Sequence, residues 1–230
     1  MAAPRYALYA VPASDHPLWS LAADWLGRDP ETAKEVPPSL PGWLVAARWR
    51  AITEEPRRYG FHGTLKPPFA LAAGRTVAEL HEAAGRFAAA SAPLDPVPLA
   101  VASLSGFLAL VPENAAPALS ALADRCVEAF DSFRTAPTEA ELVRRRQAGL
   151  SAAQEAHLQR WGYPYVFDQF RFHMTLTGRL GAGERRPLET WLADRFAAAL
   201  ARPPALQLAL FEQPRADLPF RLITRYAAGG

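Results

Sequence analysis

Two imidazoles and two hydroxyls recur in this chain in the same order. Phe61-His62-Gly63-Thr64-Leu65 and Phe172-His173-Met174-Thr175-Leu176 share the pattern F-H-x-T-L, once in each half of the 230 residues. A four-letter match of these less common residues arises by chance in roughly one chain in a thousand of this size. A neutral imidazole takes a proton from water, and a charged one gives a proton to a leaving oxygen. With an ordinary pKa of about 6.5, one ring of a pair can do each at neutral pH. Threonine hydroxyls and a nearby cation hold phosphoryl oxygens where negative charge builds. Such a set suits the splitting of a phosphate ester, above all a strained cyclic one.

These residues need strands to carry them. Side chains alternate between faces along a strand. His62, Thr64 and Lys66 then share one face, while Phe61 and Leu65 share the other with Gly63 between them. In the second copy Arg171, His173, Thr175 and Thr177 point one way, and Phe172, Met174 and Leu176 point the other. Each copy offers an apolar face to a core and a polar face to a site. Lys66 and Arg171 would give that site one cation from each half, provided that no bulge interrupts either strand. Arg58 and Tyr59 precede the first strand and are candidates for the cleft mouth. Tyr163 and Tyr165 precede the second, where aromatic hydroxyls bind phosphate or the rings stack on a base. Arg134 follows a helix end and is a candidate anion ligand. The run Arg144-Arg145-Arg146 points around a helix, and we read it as a solvated face.

Several chemistries lack their usual residues. The single cysteine, Cys126, excludes an internal disulfide framework and a cysteine-based zinc site, and it falls in an apolar helical pattern. His16, His81 and His157 belong to no metal-ligand motif, so neither a metal nor another cofactor is expected. There is no G-x-S-x-G elbow, G-x-G-x-x-G loop or P-loop. A formal charge of +2 argues against a binder driven by electrostatic attraction to nucleic acid. No signal peptide and no stretch of roughly 20 apolar residues is visible, so the expectation is a cytoplasmic protein without membrane spans.

Half of the residues are apolar, enough for a sizeable core. Periodicity predicts a strand over Tyr6–Val11 and a helix from Pro17 to Gly27. A loop follows over 29–42, then a short helix or irregular segment over Trp43–Ile52. The first motif strand should stop at Pro67-Pro68. A helix over Val77–Ala90 follows, then one long strand or a hairpin over Leu99–Val111. In the second half a helix spans Ala115–Phe133. Thr138-x-x-Glu141 and Ser151-x-x-Gln154 are capping boxes that open two more. After the second motif strand come a helix over Pro187–Leu200 and strands over Leu206–Phe211 and Phe220–Tyr226. The pattern is α+β with a pseudo-repeat.

The paired motifs resemble the signature of the two-histidine (2H) phosphoesterase superfamily, a pair of H-x-[ST]-hydrophobic units. The longer stretches Arg57-Arg58-Tyr59-Gly60-Phe61-His62-Gly63-Thr64-Leu65-Lys66-Pro67-Pro68-Phe69 and Trp161-Gly162-Tyr163-Pro164-Tyr165, with Phe172 to Arg179, resemble the branch associated with bacterial phosphonate-metabolism operons (DUF1045-like). The resemblance implies a LigT-like fold of two pseudo-symmetric lobes of antiparallel sheet, helices outside and a central cleft. The lobes would be roughly 1–111 and 112–230, with terminal strands open to exchange. It implies a metal-independent cyclic phosphodiesterase acting on a small ribose cyclic phosphate. His62 and His173 would be base and acid in an order left open, and Thr64 and Thr175 would hold phosphoryl oxygens. The alternatives are a 2′,3′-cyclic nucleotide or RNA-end phosphodiesterase, and a non-catalytic module that binds a nucleotide or RNA end.

Overall fold

The two F-H-x-T-L words lie side by side. In the computed structural model, which describes residues 3–147 and 149–229, Gly63 pairs with Met174 across two antiparallel strands. In chain order the elements are β1 (Arg5–Pro12), α1 (Pro17–Leu26), α2 (Ala46–Tyr59), β2 (Gly63–Ala70), α3 (Val77–Ala89), β3 (Leu99–Leu104) and β4 (Phe107–Pro112). Then come α4 (Pro117–Ala129), α5 (Glu139–Arg146), α6 (Ala152–Trp161), β5 (Met174–Thr175), α7 (Ala182–Leu200), β6 (Leu206–Gln213) and β7 (Arg221–Tyr226). The class is α+β. The strands form one antiparallel sheet in the order β3-β4-β5-β2-β1-β6-β7.

The sequence led us to expect two sheets with a cleft between them. Hydrogen bonding makes a single sheet, and its two halves meet at the Gly63–Met174 pair, where β2 touches β5. The hairpin β3–β4 sits beside β5, and the closing strands β6 and β7 sit beside β1. The apolar face predicted from alternation is the core face. Phe61, Leu65, Phe172, Met174 and Leu176 are all buried. Gly63 stands among them because the Phe172 ring crosses over it; a Cβ at position 63 would lie 2.3 Å from that ring. The segment leaving β5 is tied to α1, whose Trp25 indole N–H donates to the Leu176 carbonyl at 2.8 Å.

Helix ends follow local chemistry. The His16 ring accepts the Leu18 N–H, Pro17 opens α1, and Gly27 closes it at φ +74°. The capping boxes at Thr138–Glu141 and Ser151–Gln154 open α5 and α6 as read from sequence, and Thr76–Glu79 forms a third at α3. Leu99–Val111 is a hairpin, turned by Ser105 and Gly106, both at positive φ.

Four element boundaries differ from expectation, three of them at prolines. The segment from Trp43 is not short or irregular: α2 runs through Pro56 to Tyr59. Proline has no N–H to give the carbonyl four residues back, and the Ile52 carbonyl accepts the Gly178 N–H instead, at 2.6 Å. The helix expected from Pro187 starts five residues earlier at Ala182, with the Glu184 carboxylate accepting the Gly181 N–H. The first motif strand does not stop at Pro67-Pro68 but continues to Ala70. Beyond Gly63 its second edge has no registered strand partner among the described residues, so the missing N–H groups break no ladder there. The second motif strand is only two residues long. Both Leu176 and Thr177 N–H groups turn onto the Leu108 carbonyl and end it.

The close approach at the seam predicts a specific non-additivity. Gly63→Ala should destabilise the protein by about 1–3 kcal/mol through overpacking against Phe172. The double variant with Phe172→Leu should lose less than the two single changes summed, measured by urea denaturation.

Candidate active site

Antiparallel pairing of Gly63 with Met174 sets His62 across from Thr175 and Thr64 across from His173. All four lie on the face opposite the buried Phe61, Leu65, Phe172 and Leu176. Across such a pair the diagonal neighbours, here the two histidines, stand roughly 7–8 Å apart at the backbone. The two imidazoles are held alike. Nδ1 of His62 meets the Gly60 carbonyl at 2.8 Å, and Nδ1 of His173 meets the Arg171 carbonyl at 2.8 Å. A carbonyl only accepts, so Nδ1 carries the proton in both rings. Each carbonyl belongs to the residue two positions earlier, so the sequence repeat is also a repeat of ring orientation. Nε2 is left in each ring as the atom that exchanges protons. In His62 it lies 3.2 Å from the Thr64 hydroxyl.

The surroundings of the two rings differ. His62 stacks on Tyr9 of β1, with ring centroids 3.6 Å apart and planes 21° apart. Burial pushes its pKa down to about 4. The Gly60 hydrogen bond opposes that shift, and the nearby His173 adds to it. His62 is therefore neutral at pH 7. His173 sits against the Phe107 ring, 5.6 Å between centroids, in a more open setting. A hollow of about 400 Å³ opens over this face, and His62, Thr64, Thr175, Tyr9, Tyr59 and Arg179 are among its lining residues. The Thr177 hydroxyl, although it lines the hollow, accepts the Leu108 N–H at 2.9 Å.

The other residues singled out from sequence are scattered. Tyr59 and Tyr163 line the hollow. Tyr165 packs edge-on against Tyr163 and does not line it. Arg58 is exposed and donates to the Ala216 carbonyl, away from the hollow. Arg171 is exposed and contributes its carbonyl to His173 rather than its side chain to the hollow. Arg134 is engaged by the Asp131 carboxylate at 2.6 Å and the Arg160 carbonyl at 2.8 Å.

Lys66 is not on the His62 face. The register with β1 steps from Tyr9↔Thr64 to Leu8↔Lys66, so two residues of β2 answer one of β1 at Leu65. That bulge turns Lys66 away. Its amine is buried, donates to the Val127 carbonyl at 2.8 Å, and lies 4.0 Å from Asp131.

Sequence reasoning missed Tyr9, Phe107, Arg145 and Arg179, which the fold brings to the hollow. Cys126 is fully buried, and burial raises its thiol to about 12. Among the described residues no three His, Cys, Asp or Glu side chains cluster closely enough to hold a metal ion, and no helix is long and apolar enough to cross a membrane.

The depressed basicity of His62 has a sign. Its folded pKa lies below the unfolded value, so the unfolded chain binds the extra proton first. The stability tied to this ring is present above about pH 6.5 and declines as the pH falls toward 4. In an NMR titration the His62 ring resonances should keep their neutral positions down to pH 5. Tyr9→Leu should move their midpoint upward as water reaches the ring. A midpoint already at 6.5 in the unaltered protein would contradict the burial account.

Comparison with known proteins places the chain among relatives. It is 41% identical over 223 residues to "Ribose 1,5-bisphosphate phosphokinase PhnN" of Janthinobacterium sp. (strain Marseille), covering 92% of this chain and 48% of that one. It is 38% identical over 226 residues to the protein of the same name from Laribacter hongkongensis (strain HLHK9), covering 95% of this chain and 50% of that one. The chain thus spans about half the length of the curated relatives it matches. A family model described as "Protein of unknown function (DUF1045)" matches residues 64–221, a span that holds Thr64, His173 and Thr175 and begins two residues after His62, and the chain belongs to that family.

Proposed function

We propose that this chain is a cyclic phosphodiesterase of the 2H type that opens a phosphorylated ribose 1,2-cyclic phosphate. The observation that carries the reading is the pair of imidazoles on neighbouring strands. Each is fixed through Nδ1 by the carbonyl two residues back; Nε2 of His62 lies 3.2 Å from the Thr64 hydroxyl, and the strand register sets His173 across from Thr64. On this reading the two sides of the Gly63–Met174 seam, β3, β4 and β5 on one and β2, β1, β6 and β7 on the other, are the two lobes; relative to a division at 1–111 and 112–230, the internal hairpin β3–β4 is exchanged as well as the terminal strands β6 and β7.

The reading assigns the roles that sequence left open. His62 is neutral and part-buried, so its Nε2 is the base that takes a proton from water. The water oxygen attacks phosphorus opposite the departing sugar oxygen. His173, more open and oriented by the Arg171 carbonyl, gives its Nε2 proton to that oxygen. Thr64 and Thr175 donate hydrogen bonds to the phosphoryl oxygens as charge develops. Phosphate entering the hollow brings negative charge beside His62 and raises its pKa toward the working range.

The substrate class rests on a chemical coincidence. Adding water across the P–O2 bond of a 5-phosphoribose 1,2-cyclic phosphate leaves the phosphate on O1. The product is ribose 1,5-bisphosphate, the compound in the name of the two relatives. A role in phosphonate metabolism follows from the resemblance of the motif regions. The phosphokinase activity in that name we assign to the part of the relatives that this chain does not span, since its residues contain no P-loop sequence.

Phosphorus NMR on a panel of cyclic phosphates tests the reading. It should show 5-phosphoribose 1,2-cyclic phosphate converted to the 1,5-bisphosphate and not the 2,5-isomer, ahead of nucleoside 2′,3′-cyclic phosphates. His62→Ala and His173→Ala should each lower kcat by about 10²–10⁴-fold with circular dichroism unchanged. Full turnover in either folded variant rejects the paired mechanism. kcat/KM should fall on the acid side as free His62 protonates, with apparent limits that belong to the coupled pair. Dialysis against a chelator should leave turnover unchanged; a loss restored by added metal would overturn the metal-independent mechanism.

A further inference from the structure

A second hollow, also of about 400 Å³, adjoins the first. Pro67, Pro68, Arg145 and Tyr163 line both, so the two meet at one wall. In that wall the Arg145 guanidinium lies over the Tyr163 ring, 4.4 Å from its centroid. The second hollow carries four cationic side chains, Arg5, Lys66, Arg134 and Arg145, against one carboxylate, Glu141. That carboxylate is spent on its capping box, accepting the Thr138 N–H at 2.9 Å and hydroxyl at 3.0 Å.

Two of the cations are already engaged. Arg134 is held by Asp131 and the Arg160 carbonyl, and Arg5 by the Gln213 amide oxygen at 2.8 Å. Lys66 is different. Only 2% of it is exposed, and its amine has three N–H groups. Among the described residues it meets one acceptor at hydrogen-bond distance, the Val127 carbonyl at 2.8 Å, while the Asp131 carboxylate stands off at 4.0 Å. A buried ammonium with unfilled donors is costly unless an anion completes it. Burial lowers its pKa to about 8 with Asp131 only partly opposing, which is what an under-compensated cation shows. The bulge at Leu65 that removes Lys66 from the His62 face is what delivers it here.

We infer that this second hollow is an anion site for the phosphate group remote from the reacting phosphorus, with Lys66 at its floor, and that Arg145 in the shared wall sets the preference for a doubly phosphorylated sugar. The identity of the reacting end rests on the cyclic phosphodiesterase reading; the anion site does not. Four steps of strand, from His62 to Lys66, cover at most roughly 13 Å, and less because of the bulge at Leu65. A pentose with a phosphate at each end, reached by one side chain from either side, suits that span.

Calorimetric titration with ribose 5-phosphate tests the site without requiring turnover. Arg145→Gln and Lys66→Met should each weaken binding about tenfold or more, the size of a lost charge-assisted hydrogen bond to phosphate. Arg144→Gln removes the same charge from the exposed neighbouring position and should leave binding as it was. Equal effects of Arg144→Gln and Arg145→Gln, or no binding to the unaltered protein, overturn the inference. A kinetic arm compares kcat/KM for 5-phosphoribose 1,2-cyclic phosphate with that for ribose 1,2-cyclic phosphate. Their ratio should fall about tenfold in Arg145→Gln. Hydrolysis with an unchanged ratio defeats this inference and spares the cyclic phosphodiesterase. Absent hydrolysis with the predicted binding pattern does the reverse.

Discussion

The candidate active site depends on one registered contact, the pairing of Gly63 with Met174. It joins two parts of the sheet that otherwise share no strand ladder, and it fixes which side chains face one another across the seam. A slip of one residue in either strand would send the imidazoles into the core and the phenylalanines into water. Packing guards against that slip. Phe172 fills the space that a side chain at position 63 would take, and Met174 and Leu176 are wholly buried on the same side. The polar face needs no strong interaction of its own, because the apolar face enforces the alignment.

Asymmetry is laid over this repeat by the neighbouring strands. β1 places Tyr9 flat against His62, whereas the second imidazole meets the tilted Phe107 ring, 5.6 Å between centroids, and remains more open. Two similar words thereby acquire different surroundings, and the lowered proton affinity of His62 comes from its third-party contacts rather than from the repeated residues themselves. On the proposed reading, this is the ring that accepts a proton.

How much of this could be read from the chain follows a physical line. The repeated words and their alternation were legible, because strand geometry is local and both apolar faces were continuous. Lys66 was misplaced because a bulge arises from pairing with β1 and leaves no mark in the spacing of side chains. Tyr9 went unnoticed because it reads as an ordinary core aromatic; its stack on His62 exists only once β1 lies beside β2. Pro56 does not end α2, because the carbonyl it orphans, that of Ile52, finds the Gly178 N–H, and Pro187, read as a helix start, lies inside the first turns of α7. Arg145 was read with its neighbours as a wet helix face, and only Tyr163, arriving from a distant loop, singles it out.

The carbonyl released by Pro56 has a mechanical meaning. Ile52 receives the Gly178 N–H just past β5, while the end of the same helix leads into Gly60, whose carbonyl steers the His62 ring. One rigid rod thus grips the first imidazole's anchor at its tip and the second strand's exit near its middle. The spacing between the two rings is braced from behind by a helix that supplies neither of them, so any breathing of the seam must bend that rod or break its graft.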